Sequence, residues 1–131
     1  MTRVGDVHRF QRGPVTTTQL VMYAGASGDF NRIHFDLPYA QEAGLSAVLA
    51  HGMLTMGISV GCALQVAGPH AITEEVSARF LSPVMVGDVI DVTITVRDAT
   101  EHSAIIEIES MVRGEVVLRG TLFLRQNSTF V

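Results

Sequence analysis

Asp29 and His34 are the two residues of this 131-residue chain whose types and spacing suit acid–base chemistry. They stand five apart in the run from Gly25 to Asp36. On a helix that spacing would separate their directions by roughly 140°. Glycines at 25 and 28, with Asn31 between the pair, predict a shaped loop instead. A loop can turn a carboxylate and an imidazole into one pocket. Histidine titrates near neutrality, and a carboxylate can deprotonate or orient a water, so the pair suits general acid–base work. On spacing alone the blander account is the more economical: Asp29 caps a turn and His34 is an ordinary loop histidine. His51 has no carboxylate beside it in sequence and reads as a satisfied histidine at a helix start, holding the loop through hydrogen bonds. Cys62, the single cysteine, sits in an apolar run and reads as a small buried hydrophobe; it cannot form an intramolecular disulfide. His8, His34, His51, His70 and His102 show no metal-ligand spacing, so neither a metal nor a cofactor is expected.

The elements that must position these groups belong to one domain spanning residues 1–131. A hydrophobic content of 47% with 17% charged residues is that of a globular chain. Net charge is −4, and the nine basic residues, all arginine, are scattered, which argues against nucleic acid as a partner. Met1 to Gly13 is polar and lacks the apolar core of a signal peptide, so the expected location is the cytoplasm.

Val7 to Phe10 reads as an edge strand after a turn at Val4-Gly5-Asp6. Thr16 and Gln19 have capping-box spacing ahead of a short helix through Leu20, Val21, Tyr23 and Ala24, which Gly25 and Gly28 end. Asp36 caps a second short helix, with Pro38 in its first turn and Gly44 at its end. Residues 43–70 contain no Asp, Glu, Lys or Arg, a length that could cross a bilayer. Five glycines, His51, Thr55, Ser59 and Gln65 within it, and the lack of basic flanks, favour a buried core helix over about 52–67 and no membrane. After Pro69 the period switches to two. Ile72, Val76, Ala78 and Phe80 share one face; so do Ile90, Val92, Ile94 and Val96, then Ala104, Ile106, Ile108 and Val112, and last Val116, Leu118, Leu122 and Leu124. Turns at Val86-Gly87-Asp88, 98–103 and Arg113-Gly114-Glu115 join these as antiparallel strands with one covered face. Gln126 to Val131 reads as a tail. The expected class is α+β: a five-stranded antiparallel sheet that curls around one long helix and buries it.

Tyr23 to Asn31 with Ile33-His34, then Ala50-His51-Gly52-Met53-Leu54, then Pro83 to Asp88, occur in that order. Together they resemble the MaoC-like (R)-specific enoyl-CoA hydratases over about Gly5 to Arg125, and Leu49 to Gly57 resembles the small hydratase subunits of actinobacterial fatty-acyl elongation. The resemblance implies a hotdog fold, and catalysis by Asp29 and His34 acting on one water. It also implies Gly52, Met53, Thr55 and Asn31 as the substrate-binding set, with Asn31 organising the loop. Two positions depart from the pattern. Arg32 stands where a loop-stiffening proline is usual, and offers itself to a carrier phosphate. Gly57 stands where many relatives place a substrate-binding serine, a role left to Thr55 or Ser59.

A helix starting at Gly52 would present unpaired N–H groups to a thioester carbonyl, where a glycine permits close approach. Hydration of a 2-enoyl thioester, or the reverse dehydration of a 3-hydroxyacyl thioester, needs such a site for the developing oxyanion. The substrate is expected to be an acyl-CoA or acyl carrier protein thioester. A hotdog thioesterase is a rival reading, but it would want a carboxylate on or near the long helix, and that helix has none. A non-catalytic subunit is the other, against which the intact Asp29/His34 pair speaks. The sheet edge, and Leu81, Ile105, Val117 and Phe123 among the outward charges, predict a homodimer, with a heterodimer as the alternative.

Overall fold

Strict alternation in the second half of the chain becomes four strands that pair with one from the first. A computed structural model describes residues 3–126. The strands are β1 (Val7–Arg12), β2 (Ala71–Phe80), β3 (Ile90–Ala99), β4 (Ser103–Val112) and β5 (Glu115–Gln126). They form one antiparallel sheet in the order β1-β3-β4-β5-β2, so β1 and β2 are its edges. The hairpin between β4 and β5 turns on Arg113 and Gly114, both at positive φ (50° and 77°), the two-residue geometry whose twist matches the strands. Ile90, Ile94, Ile106 and Leu122 are fully buried on the inner face. Helix α3 (Gly52–Ala67) lies across that face and touches all five strands. This is the hotdog architecture expected from the pattern.

Three details differ from the pattern, each for a physical reason. A bulge between Thr73 and Glu75 shifts the register of β2. Because side chains alternate with period two, one extra residue exchanges the faces. Ala71 therefore packs on the core and Ile72 is exposed, while Phe80 ends the strand half-exposed. A second irregularity, where Ser110 pairs with Leu118 but Met111 with Val116, turns both Val117 and Leu118 inward. Val117, expected among the outward residues, is a core residue. Finally, α3 is not wrapped on all sides. Thr55, Ser59, Cys62 and Ala63 are buried against the sheet, whereas Met53, Gly57, Gly61 and Gln65 form an exposed stripe at four-residue intervals.

Ahead of α3 lie α1 (Thr17–Ser27) and α2 (Leu37–Glu42). Thr16 caps α1 by accepting from the Gln19 N–H at 3.1 Å, and Asp36 caps α2 through the Tyr39 N–H at 3.2 Å. Gly25 lies inside α1 and does not end it, since one interior glycine costs a helix only about 1 kcal/mol. Gly28, at φ 76°, ends it. Gln126 closes β5 and is not part of a tail; residues 127–131 lie outside the described residues. No helix among the described residues is long and apolar enough to cross a membrane.

Candidate functional site

Beyond Gly28 the chain leaves α1 and folds back on itself through short-range hydrogen bonds. The Asp29 N–H donates to Ser27 Oγ, and the Asn31 N–H to Asp29 Oδ1, each at 3.1 Å. Asn31 Oδ1 accepts from the Ile33 N–H at 3.3 Å, capping a single 3-10 turn over Arg32–His34. Asp29 is thus a turn former through one oxygen while the other stays free. Arg32 donates from Nε and Nη2 to Asp36 Oδ2 (3.0 and 2.8 Å) and lies 4.5 Å over the Tyr39 ring. It stiffens the turn from outside.

His34 is carried into the interior by that turn and is buried. Its Nδ1 lies 2.8 Å from the Leu49 carbonyl, whose own N–H donates to the Ile33 carbonyl at 3.0 Å. A carbonyl can only accept, so Nδ1 carries the proton and a neutral imidazole leaves Nε2 bare. Nε2 lies 3.8 Å from Asp29 Oδ2, too far for a direct hydrogen bond. Two acceptors at that separation can each receive one proton of a single water.

Opposite stands the start of α3. His51 is its N-cap but makes no side-chain capping bond, and the Leu54 and Thr55 N–H groups both donate to the His51 carbonyl. The Gly52 and Met53 N–H groups precede any intrahelical acceptor and point out of the helix end. Between this end and His34 opens a cavity of about 390 Å³, lined by His34, Leu49, Ala50, Gly52, Thr55, Phe80, Leu81, Ser82, Pro83, Val84 and Val117. Of the expected residues, His34, Gly52 and Thr55 meet there. Asp29 stands beside it, next to the His34 nitrogen. Asn31 is not in its wall and orders the loop. Met53 points away and is exposed. Phe80 lies on the face that alternation gives it, Val117 is turned inward by the register shift in β5, and Leu49 enters through its carbonyl, which no residue-type argument can see. An ideal Cβ at Gly52 would lie 3.3 Å from the Phe80 ring, so that ring packs close against Gly52 on one side of the helix start. A wider concavity, about 580 Å³, lies on the outer sheet face among Thr93, Thr95, Glu107, Glu109, Arg119 and Thr121. It brings no histidine to its wall, and Arg119 there is engaged by Glu109 at 3.2 Å.

The structure brings together two histidines that are far apart in sequence. The His34 and His51 rings stack with centroids 3.8 Å apart and planes 20° from parallel, and Tyr23 meets His51 edge-on at 4.8 Å. His51 Nε2 lies 3.2 Å from the Asp29 carbonyl, but the buried Nδ1 has no partner among the described residues, so the ring is only half satisfied. Ligand atoms of Asp29, His34 and His51 fall within 4.8 Å of one another, a grouping that sequence spacing did not show. Stacked rings send their lone pairs out in nearly parallel planes. In-plane bonds of about 2.0 Å from both rings cannot then converge on one ion.

Residues 2–117 match the family model described as a MaoC like domain. The (R)-specific enoyl-CoA hydratase of Rhodospirillum rubrum is 32% identical over 109 residues, covering 81% of this chain and 76% of that protein. Among solved structures, the unliganded R-hydratase PhaJ1 from Pseudomonas aeruginosa matches with a TM-score of 0.87 at 26% identity, over 95% of this chain and 82% of that one. A chain of the ChsH1-ChsH2 complex from Mycobacterium tuberculosis matches at 0.87 and 20% identity over 97% and 100%, a likeness of fold.

Proposed function

Because this chain belongs to the MaoC-like domain family, we propose that it is a hydro-lyase that adds water to a trans-2-enoyl thioester of CoA or acyl carrier protein, or removes it from the 3-hydroxyacyl thioester. The observation that carries the reading is the 3.8 Å gap between bare His34 Nε2 and Asp29 Oδ2, facing the open end of α3. A water that gives one proton to each acceptor turns its lone pairs toward the cavity. With the thioester carbonyl against the Gly52 N–H, the water oxygen bonds to C3 and the C2–C3 π electrons move toward the carbonyl oxygen. The helix end stabilises that charge; a donor so placed is worth about 3 kcal/mol. His34, which lines the cavity, takes the proton released by the water and returns it to C2 as the enolate collapses. Asp29, outside the wall, holds the second proton and offsets the charge on the ring. Bonds balance: one O–H and one π bond are lost, and O–C3 and C2–H are formed. The (R) hand of the product is carried over from the Rhodospirillum relative.

Crotonyl-CoA tests this directly. Loss of the conjugated thioester absorbance with (3R)-hydroxybutyryl-CoA as product is expected. Release of free CoA without hydration would indicate a thioesterase instead. The proposed assembly is a homodimer: β2 is a free edge, α3 leaves its Gly57–Gly61 stripe uncovered, and Phe80 and Leu81 stand exposed at the cavity mouth. The ChsH1-ChsH2 complex, one chain of which shares this fold, makes a different partner chain the alternative. Light scattering separates them, since an inactive chain rescued by a second gene product would mean a heterodimer and a stable, active monomer would defeat both. The proposed compartment, the cytoplasm, rests on the sequence alone.

A further inference from the structure

His51 is 2% exposed, and its one side-chain hydrogen bond among the described residues runs from Nε2 to the Asp29 carbonyl at 3.2 Å. The carbonyl accepts, so Nε2 bears the proton and Nδ1 is the bare nitrogen. Nδ1 is fully enclosed and has no partner. A proton placed there would be a buried N–H without an acceptor, which the fold would have to carry at a cost. One tautomer is therefore selected. A histidine that served the helix would turn a ring nitrogen onto the free N–H groups at its start, yet His51 makes no such cap. The fold carries an orphan nitrogen here, and the helix gains nothing from the side chain.

What gains is the reacting pair. The Asp29 peptide is tied through its N–H to Ser27 Oγ, through Oδ1 to the Asn31 N–H, and through its carbonyl to His51. With those three fixed, Oδ2 is held at its 3.8 Å from His34 Nε2, although the Asp29 side chain is 53% exposed. His34 has its edge fixed by the Leu49 carbonyl and its face by the stacked His51 ring, which Tyr23 backs in turn. We propose that His51 is a positioning residue: it sets both members of the Asp29–His34 pair at once, one by a hydrogen bond and the other by a ring face. The inference rests on those two being the reacting groups.

Two substitutions separate the functions of the ring. His51→Phe keeps a stacked plane and removes both the orphan nitrogen and the donor; the exposed Asp29 loop can hydrate its carbonyl. His51→Gln keeps an N–H near the Nε2 position. With crotonyl-CoA, His51→Phe is expected to lower kcat by about 10- to 100-fold, the usual cost of a misplaced reacting group, with KM little changed. Its melting temperature should be equal to or above wild type, and His51→Gln, which keeps the donor and loses the ring face against His34, should also lower kcat with KM little changed. A folded His51→Phe or His51→Gln protein at the wild-type rate overturns the proposal, since each removes one of the two contacts. Nitrogen-15 chemical shifts of the wild-type histidines give a readout that needs neither a folding variant nor activity. His51 protonated at Nε2 and bare at Nδ1 is expected, and the opposite tautomer overturns the proposal. Wild-type protein that leaves crotonyl-CoA and longer enoyl-CoAs unchanged would sink the functional reading, while the tautomer still judges this one.

Discussion

Replacing Gly52 by alanine should move stability and activity in opposite directions. An ideal Cβ at this position lies 3.3 Å from one Phe80 ring carbon and 3.4 Å from two others. Those contacts are tight by a few tenths of an ångström, but Phe80 is 49% exposed at the end of β2 and has open space to swing into. Alanine also favours the helix over glycine, by up to about 1 kcal/mol in an interior position and less in the first turn. The folded protein should therefore melt at the wild-type temperature or slightly above it. Turnover should fall, because the methyl group and the displaced ring crowd the N–H groups proposed to receive the oxyanion. Loss of one such donor costs about 10²-fold or more in kcat. Thermal melts and crotonyl-CoA hydration, measured on the same preparation, read both quantities. Gly52→Ala combined with Phe80→Leu separates the methyl from the ring: activity should stay low if the methyl itself blocks the carbonyl. A folded Gly52→Ala protein with wild-type turnover would refute the placement of the carbonyl at this helix end.

Buried Ser59 and Ser110 make a directional pair. Ser59 Oγ spends its only proton on the Thr55 carbonyl at 2.8 Å, so Ser110 must donate to it across 2.7 Å. Ser110→Ala should cost about 1 kcal/mol, and Ser59→Ala, which strands the Ser110 hydroxyl, toward 3 kcal/mol; urea titration with the order reversed would contradict this. Arg32→Pro should leave the melting temperature nearly unchanged and activity intact. Asn31 already has the extended ψ of 123° that a residue before proline requires, and an exposed ion pair to Asp36 contributes little to stability. A large loss of either would show that the guanidinium has a role beyond stiffening. The Asp36 carboxyl is held below its ordinary value of 3.8, first by the Arg32 side chain and then by the Tyr39 N–H. A carboxyl lowered by folding adds stability above its unfolded value and loses it as pH falls through the lower folded one. Asp36→Asn should thus flatten the stability profile only on the acid side, and a difference from wild type that is the same at pH 3 as at pH 7 would contradict the sign.

Sequence pattern carried the architecture further than it carried the site. Thr16, Gly28 and Asp36 marked their helix ends because capping is local chemistry, readable within four residues. β3 alternates strictly from Ile90 to Val96, ahead of a register shift between Val96 and Asp98, and that run is readable in the sequence. β2 and β5 were misassigned at Ile72 and Val117, since a bulge is decided by the partner strand and leaves no mark on its own period. The uncovered stripe of α3 was read as buried because glycine and methionine count as apolar wherever they sit. At the site, the loop chemistry singles out Asp29 and His34, and the structure sets them side by side: Asp29 Oδ1 makes the turn and Oδ2 lies 3.8 Å from His34 Nε2. The stacking of His34 on His51, seventeen residues apart, depends on how the loop meets α3, and no spacing rule encodes it. Arg32, read as a free charge for a carrier phosphate, is instead engaged by Asp36 and Tyr39.

The most direct test is a rate cycle on the pair with crotonyl-CoA. Asp29→Asn and His34→Ala should each lower kcat/KM by at least about 10², the usual scale of acid–base catalysis. If both act on one water, the double variant should be little slower than either single one, because groups that work as a unit are not additive. Near-normal hydration in a folded single variant, or a double variant whose loss is the product of the two, would contradict the shared water.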